Sequence, residues 1–351
     1  MIETKETVKC FRDFSESTRE IIHNNLITPA RILIVSHKNP DGDALGSALG
    51  LGGVLESMGH QVKVYLPDEA PDFLKWLSGY DNVGIYEKSA SKFPGLEDSP
   101  DIVFFLDFNS LERLGKMEKA VAELSCLKII IDHHPGNLPF YDYGIVNTAK
   151  GSTCELVFLF LEGLGLLNQL NENLSTCLYA GITTDTLGLQ VSSSYSEVYR
   201  VVGLLVENGA EIDKVYSSIY MQFSHHRMQL LGYCLAEKMI LMPEYQVAYI
   251  WLTKEELSRF NHIKGDTEGF VNYPLSIKNI NFTVLFTELE GEIKLSLRSK
   301  GDIPVNEFAS LYFNGGGHRN ASGGRCSLSM EETLSKFESQ VKEFMTNFLK
   351  L

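Results

Sequence analysis

Three unbroken apolar runs, each handing over to acids or imidazoles, constrain this chain more than any other feature. RILIV (31–35) leads into His37, Asp41 and Asp43. DIVFFLD (101–107) closes on Asp107, and KIIID (128–132) closes on Asp132 and continues into His133 and His134. Strands without polar alternation are covered on both faces, the pattern of a parallel sheet. QVKVY (61–65) supplies a further strand. The small-residue stretch 44–55 predicts a helix packed closely on that sheet. Residues 152–166 and 174–184 predict buried helices, the second of which delivers Asp185. The fold class expected is α/β, with acidic groups gathered at the carboxyl edge of a parallel sheet, where open α/β sheets bind ligands.

A chain of 351 residues is long enough for two domains. Residues 1 to about 27 read as an amphipathic lead-in, with Val8, Phe11, Phe14, Ile21 and Ile22 near helical spacing. From 196 to about 240 the pattern turns helical and reads as a connector. Strands are expected over 246–252, 280–288 and 293–298, then a glycine-rich segment at 315–324 and a final helix from about 330 to 349. The expected organisation is a first domain over 1–195, a helical connector over 196–240 and a smaller α/β domain over 241–351.

Net charge is −14, so no long basic surface is available to neutralise the phosphates of duplex nucleic acid. An anionic substrate must instead meet a local positive site. The six cysteines (10, 126, 154, 177, 234 and 326) are scattered without CxxC spacing and read as reduced thiols. No secretory signal and no apolar stretch of membrane-spanning length is present, and a cytoplasmic protein is expected.

Four chain segments deliver ligand-type groups: His37/Asp41/Asp43, Asp107, Asp132/His133/His134 and Asp185. Any one is weak, because an Asp at a strand end is often a helix N-cap. Together, at one sheet edge, they crowd carboxylates that cannot all ionise without cations between them. Carboxylates and imidazoles without a thiolate suit Mn²⁺ or Mg²⁺ better than structural Zn²⁺. A metal pair about 3.5–4 Å apart is the usual device for hydrolysing a phosphate ester.

HKNPDGDALGS (37–47), Asp107, the triplet 132–134 and TTDT (183–186) resemble, in that order, the four motifs of the DHH phosphoesterase superfamily. RSKGDIPVNEFA (298–309) and GGGHRNASGG (315–324) resemble its associated C-terminal domain. The two-domain length is similar to the branch of nanoRNases and phosphatases of 3′-phosphoadenosine-5′-phosphate (pAp). The resemblance implies two Mn²⁺ ions, with Mg²⁺ or Co²⁺ able to substitute. His37, Asp41, Asp107 and Asp185 would hold one ion, and Asp43, Asp107, His133 and Asp185 the other. Asp132 would orient an imidazole, and His134 would contact the scissile phosphate. Catalytic roles thus fall to His134, Asp132 and Asp107. Where the family has Gly and then an aromatic residue after the last ligand, this chain has Leu187-Gly188-Leu189, which bears on substrate fit.

In the C-terminal domain, Gly315, Gly316 and Gly317 let a backbone approach a phosphate and form an anion nest. Arg298 offers a planar fork to a terminal phosphate, and His318 and Arg319 add contacts. The resemblance implies hydrolysis of short oligoribonucleotides to mononucleotides and of pAp, with a linear or cyclic dinucleotide (pApA, cyclic-di-AMP) as the alternative substrate. It also implies a homodimer. A non-catalytic binder on the same fold predicts missing ligands, and every expected ligand is present. His225-His226 reads as a solvated helix end, and Trp76 and Trp251 as core residues.

Overall fold

The computed structural model describes residues 14–86, 93–96, 99–136, 140–190, 195–263 and 265–349. The chain forms two compact units, Met1–Gln222 and Phe223–Leu351. Residues 196–240, expected as a connector, are thereby divided between them. Val8 and Phe11 of the expected lead-in lie outside the described residues; its helix is α1 (Glu16–Leu26).

In the first unit the apolar runs become strands that pair only in parallel. They are β1 (Arg31–Val35), β2 (Gln61–Leu66), β3 (Gly84–Ile85), β4 (Ile102–Leu106), β5 (Leu127–Asp132) and β6 (Tyr143–Val146), in the order β3-β2-β1-β4-β5-β6. Ile32, Ile34, Phe104, Ile129 and Ile131 face one core, while Leu33, Val35, Val103, Phe105 and Ile130 face a second. Both faces are covered, which is why the runs carry no polar alternation. Each such side chain contributes about 1.5–3 kcal/mol when fully buried. The strand order reverses between β1 and β4, so the crevice beyond their carboxyl ends is the sheet's switch point.

The first core is roofed by α2 (Gly42–Ser57), α4 (Thr153–Gly163) and α5 (Glu172–Asp185); α3 (Glu118–Ala122) packs on the other face. Helices α6 (Tyr195–Glu207) and α7 (Ile212–Tyr220) close the unit. The glycines of α2 were expected to bring it close to the sheet. Only Gly52 does so, facing Ile34, Val62 and Val64. A Cβ on Gly42, Gly46, Gly50 or Gly53 would instead meet Thr184, Cys177, Leu178 or Leu174, all on α5. These four lie on one helical face, so α2 and α5 run antiparallel in near backbone contact. That pairing sets the start of α2 against the end of α5.

The second unit contains α8 (His225–Tyr233), β7 (Met239–Met242), β8 (Val247–Leu252), α9 (Lys254–Arg259), β9 (Phe282–Glu288), β10 (Ile293–Ser299), α10 (Val305–Tyr312), β11 (Gly316–His318), β12 (Ala321–Cys326) and α11 (Met330–Leu349). Its mixed sheet has the order β11-β12-β10-β9-β8-β7, with only β8 and β9 parallel. Alternate residues Ile293, Leu295 and Leu297 of β10 pack on Phe308, Phe337 and Met345 of α10 and α11. Among the described residues no helix is long and apolar enough to cross a membrane.

Candidate metal centre and active site

The switch-point crevice collects the ligand-type groups of the first unit. His37 follows β1 and is buried; its Nδ1 donates to the Lys38 carbonyl at 2.9 Å. A carbonyl only accepts, so Nδ1 carries the proton and Nε2 turns toward Asp107 Oδ2 at 3.2 Å and Asp41 Oδ2 at 3.9 Å. Asp41 is also the N-cap of α2, its Oδ1 accepting from the amides of Asp43 and Ala44 at 3.1 and 3.0 Å. Capping thus occupies one oxygen and leaves the other facing His37.

Asp43 is fully buried. Its carboxylate accepts from the amides of Thr153 (2.6 Å) and Cys154 (2.8 Å), the first turn of α4, so it sits on that helix's positive end. Asp107, just past β4, has φ +67°, a left-handed conformation uncommon outside glycine. The Thr153 hydroxyl donates to its Oδ1 at 2.9 Å. Backbone strain of this kind clusters at functional sites.

The end of β5 supplies both imidazoles of the triplet. His133 Nδ1 donates to the Lys150 carbonyl at 3.3 Å, and its Nε2 stands 3.3 Å from Asp185 Oδ2, 3.5 Å from Asp107 Oδ1 and 3.8 Å from Asp43 Oδ2. His134 Nδ1 donates to Asp132 Oδ1 at 2.8 Å and lies 3.7 Å from Asp107 Oδ1, while its Nε2 accepts from Arg113 Nη1 at 3.2 Å.

Burial and crowding shape the charges. Burial pushes the Asp43 carboxyl well up, and the charges of Asp107 and Asp185 add to it. Burial pushes Asp185 up to about 6, with His133 opposing and Asp41 and Asp107 reinforcing. Burial alone would depress His133, but Asp185, Asp107 and Asp43 raise it to about 9. Burial also works against the charged form of Asp107, yet the bond to His37 and the charges of the three histidines hold that carboxyl well below the usual range.

This donor set fits divalent cations. Atoms of His37, Asp41 and Asp107 lie within 4.8 Å of one another, as do atoms of Asp43, Asp107 and His133, so Asp107 belongs to both groups. Both histidines have Nδ1 committed to a carbonyl and aim Nε2 at carboxylates, an arrangement a cation completes. Burial keeps the nearby Cys154 protonated, leaving hard nitrogen and oxygen donors. Asp185 reaches His133 but joins neither group. After it, Leu187, Gly188 and Leu189 all have positive φ (51°, 70° and 66°), so this departure from the family pattern is a left-handed turn, tied by Leu189 N to Thr186 Oγ1 at 3.0 Å.

The second unit differs from expectation at its glycine run. Gly316 and Gly317 form edge strand β11 rather than a loop nest. A Cβ on Gly315 would strike the Gly323 carbonyl, and one on Gly317 would approach the Ala321 carbonyl. Close pairing with β12 therefore demands these two glycines. Arg298, Ala321 and His318 form one row across β10, β12 and β11 and share a face, with only a methyl group between the two larger side chains. Arg319 leans away, donating Nε and Nη2 to the Asp302 carbonyl at 3.2 and 2.8 Å.

Three contributors escaped the sequence reading: Arg113 on His134, the 150–154 turn, and a buried ion cluster behind it. Within the turn, Lys150 serves His133, Thr153 serves Asp107, and the Thr153 and Cys154 amides serve Asp43. The Lys150 ammonium is buried between Glu155 (3.5 Å) and Glu197. Residues 152–155 are a polar SxxE helix start, the one sequence cue to this turn.

Residues 31–182 match the DHH family, N-terminal domain, and residues 244–347 match the DHHA1 domain. A crystal structure of an exopolyphosphatase-related protein from Bacteroides fragilis shares 38% identity and a TM-score of 0.91, covering 96% of this chain and 98% of that one. This chain belongs to the DHH family. The bifunctional oligoribonuclease and PAP phosphatase NrnA of Bacillus subtilis is 27% identical over 83% of this chain and 88% of its own length. The Thermus thermophilus protein of the same name is 25% identical over 90% of each.

Proposed function

We propose that this DHH protein is a divalent-metal-dependent phosphohydrolase that degrades short oligoribonucleotides to mononucleotides and removes the 3′-phosphate of pAp. The observation that carries the reading is the pair of ligand groups sharing buried Asp107. The activities for which the two NrnA relatives are named give it a substrate class.

In this reading His37, Asp41 and Asp107 would hold one ion and Asp43, Asp107 and His133 the other, with Asp185 a further ligand that the family resemblance implies. Mn²⁺ is the proposed metal. When bound, the ions supply an activated water and neutralise the charge that builds on phosphorus. The Lys38 and Lys150 carbonyls keep both ligand imidazoles in the tautomer that presents Nε2. Asp132 fixes the His134 ring against the phosphate being cleaved. On the second unit, Arg298 and His318 take the far phosphate of the substrate, with the β11 edge amides beside them. Arg319, whose Nε and Nη2 are tied to the Asp302 carbonyl, adds a contact from the same hairpin. The homodimer carried by the family resemblance belongs to the same proposal, and light scattering reads it.

Side-by-side turnover of an RNA dinucleotide, pAp, pApA and cyclic-di-AMP, with Mn²⁺ or with chelator, tests the reading. Metal-dependent release from the dinucleotide and pAp supports it, and Asp107→Ala should abolish that release. Faster hydrolysis of cyclic-di-AMP than of the dinucleotide or pAp would transfer the enzyme to the alternative substrate.

A further inference from the structure

Arg113 stands out because of what it does not pair with. It lies in the turn after β4, half-buried, beside the most acidic locus of an acidic chain. Among the described residues no carboxylate lies within ion-pairing distance of its guanidinium; its side-chain hydrogen bond is the one to His134 Nε2. Its charge also reaches His37, where it opposes Asp107 and Asp41, the carboxylates that hold that imidazole's pKa up. An arginine beside this many carboxylates ordinarily pairs with one of them. Here the guanidinium bonds one imidazole, and four of its five N–H donors remain unused by the described protein.

The backbone holds it there. The Arg113 carbonyl accepts from Lys38 N at 2.7 Å, which ties this turn to the loop carrying His37, and Arg113 N donates to the Ser110 carbonyl at 3.1 Å. The side chain therefore rises from a turn fixed at both the β1 and β4 ends of the crevice. A planar fork with spare donors matches two non-bridging oxygens of a phosphoryl group.

We propose that Arg113 is a catalytic residue whose guanidinium binds the non-bridging oxygens of the phosphate being cleaved. The inference rests on the phosphohydrolase reading above and adds to it the group that neutralises the phosphate's own charge from the protein side. Positive charge placed where negative charge develops acts mainly on the transition state. The bond to His134 then serves to park the guanidinium while no phosphate is present.

The test compares wild type, Arg113→Ala and Arg113→Lys as full-length, Mn²⁺-loaded proteins. Calorimetric titration with Mn²⁺ and then with inorganic phosphate requires no turnover. The expected result is Mn²⁺ affinity within about 3-fold of wild type for both variants. Phosphate binding should weaken by about 10-fold or more in Arg113→Ala and by less in Arg113→Lys. On the RNA dinucleotide, kcat of Arg113→Ala should fall by about 10²–10³ with a smaller change in KM, and added guanidinium should restore part of it. Equal phosphate affinity in wild type and Arg113→Ala overturns the proposal, as does a loss that follows Mn²⁺ affinity down. If wild type binds phosphate through Arg113 but cleaves neither the short RNAs nor pAp, the substrate reading fails and the Arg113 assignment stands.

Discussion

At the scale of single residues, the crevice is a set of proton sites that a cation would displace. Asp185 is raised to about 6 and His133 to about 9 in the metal-free fold. The signs agree. A carboxyl raised above its unfolded value favours folding while protonated, and loses that contribution as pH climbs through about 6. His133, also raised, contributes below its unfolded value and loses the contribution as pH climbs toward about 9. Without metal the protein should therefore lose stability from these groups between about pH 4 and 9. Mn²⁺ competes with those protons, so it binds better as they leave. The increase in Tm on adding Mn²⁺ should be larger at pH 8 than at pH 6, read by thermal melts with and without chelator. An increase that shrinks with rising pH would contradict this assignment of charges.

At the scale of elements, the α2–α5 contact does the positioning. Asp41 and Asp43 start α2, Asp185 ends α5, and the glycine face lets the two axes close far enough for these groups to converge on His37 and His133. Gly46 and Gly52 make a matched pair for testing this. A Cβ on Gly46 would fall inside contact distance of the Cys177 carbonyl, and backbone cannot step aside as a side chain does. Gly46→Ala should cost about 1–3 kcal/mol through overpacking, with weaker Mn²⁺ binding. A Cβ on Gly52 would meet Val64, Ile34 and Val62 at 3.4–3.7 Å, ordinary contact. Gly52→Ala should stabilise by up to about 1 kcal/mol, because glycine is entropically poor within a helix. Melting curves of the two variants distinguish the faces; equal effects would mean that the glycine stripe does not set the helix separation.

At the scale of the whole molecule, the sequence was legible wherever a residue ended a regular run. His37, Asp107 and the 132–134 triplet follow unbroken apolar strands, and the parallel sheet puts strand ends together whatever their sequence separation. Arg113, Thr153 and Lys150 were not legible, because each is a single residue in a turn whose role exists only once distant segments meet. Asp43 and Thr153 are 110 positions apart, and no periodicity links them. The glycine run at 315–317 misled for a different reason: phosphate approach and close strand pairing both demand glycine, and composition alone does not separate them. The 196–240 stretch carries helical periodicity throughout, and that pattern does not mark the break between Gln222 and Phe223.

The central claim is that Asp107 is shared by two cations, and anomalous diffraction at the manganese edge from crystals grown with Mn²⁺ tests it most directly. The account predicts two peaks about 3.5–4 Å apart, one among His37, Asp41 and Asp107 and the other among Asp43, Asp107 and His133. A single peak, or a pair in which Asp107 touches only one ion, would contradict it.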